Sequence, residues 1–126
     1  MARPTTNQSI EDYLEAVLVI QQEKGYCRSV DVANHLGFTK ASVSVAVANL
    51  SRMDYLHKQE DGNLKLTEAG RAYATSVLDK HHLLTSILKY IGVSPEVADA
   101  DACKIEHDIS EMTFDKLREW YAKAEQ

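Results

Sequence analysis

Apolar residues in the first part of the chain recur every three or four positions, which is the spacing of one face of an α-helix. Ser9 precedes this run, and the acids Glu11 and Asp12 follow it within one turn, so we expect a helix to open at Ser9 and to stop near Gly25. Its buried face should carry Ile10, Tyr13, Leu14, Val17 and Leu18.

Two further helices are predicted on either side of Gly37. The first runs from Ser29 to Leu36, and the second is capped by Thr39 and extends to about Met53. Its apolar residues at helical spacing, which should face the core, are Val43, Val47 and Leu50. A helix, a glycine-containing turn and a second helix are typical of a helix-turn-helix.

The segment YLHKQEDGNLKLT contains two short extended runs around Asp61-Gly62, a dipeptide suited to a tight hairpin turn. A hairpin directly after a helix-turn-helix is the wing of a winged helix. Small and polar residues at the start of the second helix suit contact with bases and phosphates, although a plain solvated helix is the alternative. The predicted DNA-contacting residues are Arg28, Thr39, Lys40, Ala41, Ser42, Ser44, Asn49, Arg52, Lys58 and Lys65.

The C-terminal half is predicted to be helical. Thr67 should cap a long helix that passes through His81 and His82, and helices should follow from Pro95 to His107 and from Phe114 to about Ala124. The predicted fold is therefore mainly α: an N-terminal winged helix-turn-helix with a β-hairpin wing in residues 1–72, then a helical domain in residues 73–126. The apolar faces of that second domain predict a homodimer interface.

Charge and composition limit the possible functions. The net charge of −5 argues against nucleic acid, but residues 24–65 contain six Lys or Arg and only four Asp or Glu. No apolar run approaches the roughly 18 residues that a membrane span needs, and the first residues do not resemble a secretory signal. We therefore expect a cytoplasmic protein without a membrane partner, whose two cysteines are free thiols or ligands.

Potential metal ligands cluster in the sequence CKIEH, where Cys103, Glu106 and His107 share one helical face. Asp12 and Glu15 share a face of the first helix, and His81 offers another donor. The acids could instead be solvated, the histidine could lie on the surface, and the cysteine could be a small buried apolar residue. Burying a carboxylate and an imidazole is costly without a partner, which makes the cluster harder to explain as packing, but the spacing alone favours neither interpretation. Cys27 has no ligand-type neighbour and is interpreted as structural.

The segments IEDYLEAV, SVDVANHLGFTKASVSVAVANL, LKLTEAGRAYA, KHHLL and ACKIEH resemble, in order and spacing, the diphtheria toxin repressor family of metal-dependent transcriptional regulators. The resemblance implies a dimeric winged-helix repressor of metal-uptake genes that binds a palindromic operator when loaded with divalent iron or manganese. Because the chain ends at Gln126, it is similar to the short members that lack a C-terminal domain.

The resemblance also implies a metal site. Its six ligands fall at Asp12, Glu15, His81, Cys103, Glu106 and His107. Cysteine at position 103 is typical of the iron-sensing branch, whereas Asp12 is typical of the manganese-sensing branch. The residues of an ancillary site in the longer members are replaced here by Thr85 and Asp99, so a conventional ancillary site is not expected.

A thiolate matches Fe²⁺, Co²⁺ or Zn²⁺ better than Mn²⁺. We therefore expect Fe²⁺ to be the metal that activates the protein in the cell, with Mn²⁺ as the second choice. Zn²⁺ or Co²⁺ should bind in vitro. We hypothesise that the metal joins the first helix to the later helices and holds two recognition helices one DNA turn apart, roughly 34 Å. The alternatives are a metal-blind regulator, a regulator that senses oxidation through Cys103, and a small metal-dependent hydrolase.

Overall fold

The computed structural model describes residues 7–125 and contains six helices and one hairpin within them. The elements are α1 (Asn7–Lys24), α2 (Ser29–Leu36), α3 (Lys40–Arg52), β1 (Leu56–Lys58), β2 (Leu64–Leu66), α4 (Glu68–Tyr90), α5 (Pro95–Asp108) and α6 (Glu111–Ala124). The mainly helical fold with a hairpin wing is confirmed. No helix in residues 7–125 is both long enough and apolar enough to cross a membrane.

The chain divides into two compact units, one ending at Ser76 and the other beginning at Val77. This division falls four residues after the boundary predicted at residue 72. In the first unit, all five apolar residues expected on α1 are buried, as are the three core positions expected on α3. The helical periodicity of the sequence therefore identified the core of this unit correctly.

The predicted caps of α3 and α4 are present. The Thr39 hydroxyl accepts a hydrogen bond from the Ser42 backbone N–H at 3.1 Å. The Thr67 hydroxyl accepts one from the Gly70 N–H at 3.0 Å. Each hydroxyl satisfies a backbone donor that the first turn of a helix leaves without a partner, which is why these helices begin where the sequence predicted.

Several boundaries differ from the prediction, and α1 begins at Asn7 rather than at Ser9. The final helix begins at Glu111 rather than at Phe114, because the Ser110 hydroxyl accepts a hydrogen bond from the Thr113 N–H at 3.2 Å and caps it. The wing does not have a two-residue turn at Asp61-Gly62, since residues 59–63 connect the strands. Within this loop the Gln59 N–H donates to the Asn63 carbonyl at 2.8 Å, and Gly62 takes a φ of 88°.

The wing is attached to the segment that follows α1. The Leu64 N–H donates to the Cys27 carbonyl at 2.6 Å, and the Cys27 N–H donates to Asn63 Oδ1 at 2.9 Å. The Gln21 side chain also donates to the Leu64 carbonyl, at 2.6 Å. Buried Cys27 thus lies where the wing is hydrogen-bonded to the segment after α1, consistent with the structural role predicted for it.

We predict that Gly70→Ala destabilises the protein. A Cβ at Gly70 would lie 1.9 Å from the Tyr55 carbonyl oxygen, so the backbone would have to shift. Helix propensity alone would give a gain of about 1 kcal/mol, whereas overpacking costs about 1–3 kcal/mol. Thermal unfolding followed by circular dichroism should show a lower Tm for this variant. Arg71→Ala, at the exposed neighbouring position, is the control; a raised Tm for Gly70→Ala would contradict the prediction.

Candidate metal centre and DNA-binding surface

The second unit places a histidine, a cysteine and a glutamate close together. His81 comes from α4, and Cys103 and Glu106 come from successive turns of α5. Each of them offers one ligand atom within 4.8 Å of the other two. His81 Nδ1 lies 2.8 Å from Glu106 Oε2 and 3.7 Å from Cys103 Sγ. Within residues 7–125 this is the only group of three or more such residues with that geometry.

Burial gives this group its chemical character. His81 and Glu106 are 8% and 3% exposed, whereas Cys103 is exposed. His107 Nε2 lies 3.5 Å from Glu106 Oε1, so imidazoles flank the buried carboxylate on both sides. A buried carboxylate costs several kcal/mol unless a cation or hydrogen-bond donors compensate it, and of the two imidazoles His81 lies within hydrogen-bond distance of it.

The donor set fits a divalent transition metal. Imidazole, thiolate and carboxylate bind at roughly 2.0–2.3 Å, so two ligands of one ion lie roughly 3–4 Å apart. The spacings among His81, Cys103 and Glu106 are close to this range, so modest side-chain adjustment would suffice to bind an ion. The four residues that α4 and α5 supply from the predicted set of six are thus neighbours within one unit.

Asp12 and Glu15, the other two predicted ligands, lie on α1 in the first unit. Both are half-buried, and their i, i+3 spacing puts them on the same side of that helix. The cluster of three donors in the second unit does not include them.

The predicted DNA-contacting residues lie in the first unit. Most of those on α3 and around it are exposed, including Lys40, Ala41, Ser42 and Ser44. Asn49 is half-buried and its side-chain oxygen accepts a hydrogen bond from Arg52. Arg28 precedes α2 as its N-cap residue, and its guanidinium carbon lies 5.9 Å from the centre of the Tyr26 ring.

The wing residues do not all share a face. In the antiparallel register His57 lies opposite Lys65, and Lys58 lies opposite Leu64. Directly opposed residues point to the same side of a hairpin, so exposed Lys65 and exposed His57 share one face, and Lys58 lies on the other with the buried leucines.

Sequence reasoning overlooked two exposed apolar residues on α3, Val45 and Ala48. Together with Ala41 they follow i, i+4, i+7 spacing and form an exposed strip of small apolar side chains. Val45 is 46% exposed. Apolar side chains of this size contact the methyl group of thymine in the major groove. The spacing alone could have revealed the strip, but Val45 was not separated from the buried valines of the same helix.

Two family models together match nearly the whole chain. The model described as the iron dependent repressor N-terminal DNA binding domain matches residues 5–64, and the iron dependent repressor metal binding and dimerisation domain matches residues 67–126. The chain belongs to the DtxR/MntR family of metal-dependent repressors. It is accordingly a metal-dependent DNA-binding transcriptional regulator and not an enzyme, so the hydrolase alternative was wrong. The two domains indicate operator DNA and a second copy of the chain as partners.

Individual relatives agree with this assignment. The HTH-type transcriptional regulator MntR of Geobacillus kaustophilus is 36% identical over 109 residues, which is 86% of this chain and 77% of that protein. MntR of Bacillus subtilis is 34% identical over 112 residues, 89% of this chain and 79% of that protein. The T. acidophilum IdeR structure is 27% identical with a TM-score of 0.79; it matches 95% of this chain, which spans only 55% of IdeR.

We predict that the two cysteines of the metal-free protein differ sharply in reactivity. Burial raises the pKa of the Cys27 thiol to about 12, so almost none of it is thiolate at pH 7.5, whereas Cys103 is exposed. Peptide mass spectrometry after a short iodoacetamide treatment should find Cys103 alkylated and Cys27 intact. The same treatment in guanidinium chloride, where both should react, is the control. Equal labelling of both thiols in the native protein would contradict the structure.

Proposed function

We propose that this protein represses transcription in response to Mn²⁺ and Fe²⁺, and that its metal site is formed by Asp12, Glu15, His81, Cys103, Glu106 and His107. The observation that carries the proposal is the group of His81, Cys103 and Glu106, whose ligand atoms lie within 4.8 Å of one another. A buried imidazole and carboxylate beside a thiol form a donor set for a transition metal rather than for Ca²⁺ or Mg²⁺.

Asp12 and Glu15 are proposed as ligands on three grounds. They are acidic, they are half-buried on one side of α1, and they fall at ligand positions of the family pattern. A bound divalent cation would neutralise carboxylates that otherwise repel one another. If α1 and the helices α4 and α5 share an ion, metal binding restricts the DNA-binding unit relative to the second unit. This restriction is the proposed link between metal binding and DNA binding.

The partner is proposed to be a palindromic operator bound by a homodimer in the cytoplasm. A two-fold symmetric dimer presents two copies of α3, and these match two half-sites about one helical turn apart. Lys40 at the start of α3 and Lys65 on the wing are exposed, and they supply charge for phosphate contacts.

The choice of metal depends on two opposing considerations. The relatives named MntR point to Mn²⁺, whereas the thiol of Cys103 is a donor that favours Fe²⁺ over Mn²⁺. We propose that the site responds to both ions and that Cys103 raises its response to Fe²⁺ relative to Mn²⁺. Zn²⁺ and Co²⁺ should occupy the same site in vitro, because affinity at such a site follows the Irving–Williams order.

One observation favours a second candidate, a regulator that senses oxidation through a thiol. Cys103 is exposed, and an exposed thiol beside a histidine is accessible to peroxide. This candidate predicts that operator binding is independent of metal and is lost on oxidation. Measuring operator binding in the presence of a chelator, before and after peroxide, separates the two functions.

Replacing Glu106 with alanine should abolish metal-activated operator binding while leaving the protein folded. The substitution removes one proposed ligand and the carboxylate that lies between His81 and His107. Fluorescence anisotropy of a labelled palindromic duplex, titrated with Mn²⁺ under anaerobic conditions at fixed salt, measures the effect.

Glu96→Ala is the matched control for this test, because Glu96 is an exposed acid on the same helix. It should retain activation by metal, and circular dichroism should show both variants folded. Activation of folded Glu106→Ala by metal would rule out the proposed site.

Cys103→Glu should shift the metal preference towards Mn²⁺. The change replaces the thiolate with a hard carboxylate and leaves the other five proposed ligands in place. The ratio of the Mn²⁺ and Fe²⁺ concentrations that half-activate operator binding reports this preference under anaerobic conditions. We expect the ratio to move by about tenfold in favour of Mn²⁺, the equivalent of 1.4 kcal/mol. An unchanged ratio would show that Cys103 does not set the preference.

A further inference from the structure

A side chain outside the proposed ligand set contacts one of its members, His81. Asp99 lies on α5 one turn before Cys103, and its Oδ1 is 2.7 Å from His81 Nε2. The family pattern has histidine here as part of an ancillary site, so neither the resemblance nor the proposed ligand set gives this aspartate a role. The contact lies on the side of the imidazole away from Nδ1.

The two nitrogens of His81 therefore have different partners. Nδ1 faces the proposed ligands Glu106 and Cys103, at 2.8 and 3.7 Å, whereas Nε2 faces Asp99. Turning the ring by 180° about its Cβ–Cγ bond would exchange each nitrogen with a carbon. Both polar contacts would then be lost, so the pair of carboxylates selects one orientation of the ring.

We propose that Asp99 is a positioning residue of the metal centre, an inference that rests on the proposed function. With a metal on Nδ1, the ring proton would lie on Nε2, and the Asp99 carboxylate at 2.7 Å would accept its hydrogen bond and hold it there. Histidine ligands of metal sites commonly donate their second N–H to a carboxylate, and this contact sets both the tautomer and the orientation of the ring. Asp99 itself does not bind the ion.

The solvent exposure of Asp99 determines how much its removal should weaken metal binding. The His81 side chain is 10% exposed, but the Asp99 side chain is 67% exposed, so water competes for the carboxylate. Loss of such a partner typically weakens metal binding about 10- to 100-fold. For an exposed carboxylate we expect a result near the lower end of that range.

Asp99→Ala, Asp99→Asn and the control Glu96→Ala test the proposal in the full chain. Both substituted acids are exposed on α5, so each alanine variant removes one negative charge from the same helix. Co²⁺ affinity is measured anaerobically by competition with a chelator, using the absorption of Co²⁺ bound to thiolate. Asp99→Ala should bind Co²⁺ about tenfold more weakly than wild type, Asp99→Asn should be intermediate, and Glu96→Ala should match wild type.

A second readout separates positioning from a general effect on the fold. In the Zn²⁺-loaded protein with ¹⁵N-labelled histidine, NMR correlations should show His81 protonated at Nε2 and metal-bound at Nδ1. In Asp99→Ala the protonated Nε2 signal should broaden or disappear through exchange with water, whereas in Glu96→Ala it should remain.

Three results would overturn the assignment. If Asp99→Ala and Glu96→Ala bind Co²⁺ equally well and wild type also binds it, Asp99 has no positioning role although the proposed function stands. If Asp99→Ala loses one of two bound equivalents of Co²⁺, Asp99 is itself a ligand. If wild type binds no Co²⁺, the proposed function fails and the role of Asp99 fails with it.

Discussion

The buried carboxylate of Glu106 is the constraint on which the second unit depends. It lies on α5 between the imidazoles of His81 and His107, at 2.8 and 3.5 Å, with 3% of the residue exposed. An acid in this position requires positive charge or hydrogen-bond donors, and a divalent cation satisfies that requirement more fully than imidazole N–H groups do. The same constraint makes the proposed site sensitive to metal, because a bound cation changes the net charge around the buried Glu106 carboxylate.

A metal alters DNA binding only through a difference in affinity between conformations. Shifting a population from 1:99 to 99:1 requires about 5.5 kcal/mol of differential binding, which is less than the roughly 10–16 kcal/mol that binding of a structural Zn²⁺ supplies. The proposed ligands come from α1 of the first unit and from α4 and α5 of the second. If ligands from both units bind one ion, the ion has a higher affinity for the arrangement in which all ligands meet, and this difference is the proposed source of regulation.

Much of the fold could be predicted from the sequence because its signals are local. Apolar spacing identified the buried faces of α1 and α3, and Thr39 and Thr67 marked the starts of α3 and α4. The start of α6 was missed because a capping serine, Ser110, carries weak information by itself, and the wing loop was misjudged because its length depends on Asn63 and Gln59. The spacing of Cys103, Glu106 and His107 indicated a site, but the contact of Asp99 with His81 joins two residues 18 positions apart on different helices, which no local pattern reveals.

Metal-dependent operator binding by the unaltered protein tests the central claim most directly. Apo protein and a labelled palindromic duplex are mixed anaerobically at constant salt, first with chelator and then with rising Mn²⁺ or Fe²⁺, and anisotropy reports the bound fraction at each step. The account predicts weak binding with chelator and tight, saturable binding once either metal is present. Equally tight binding to the same duplex with and without chelator would contradict it.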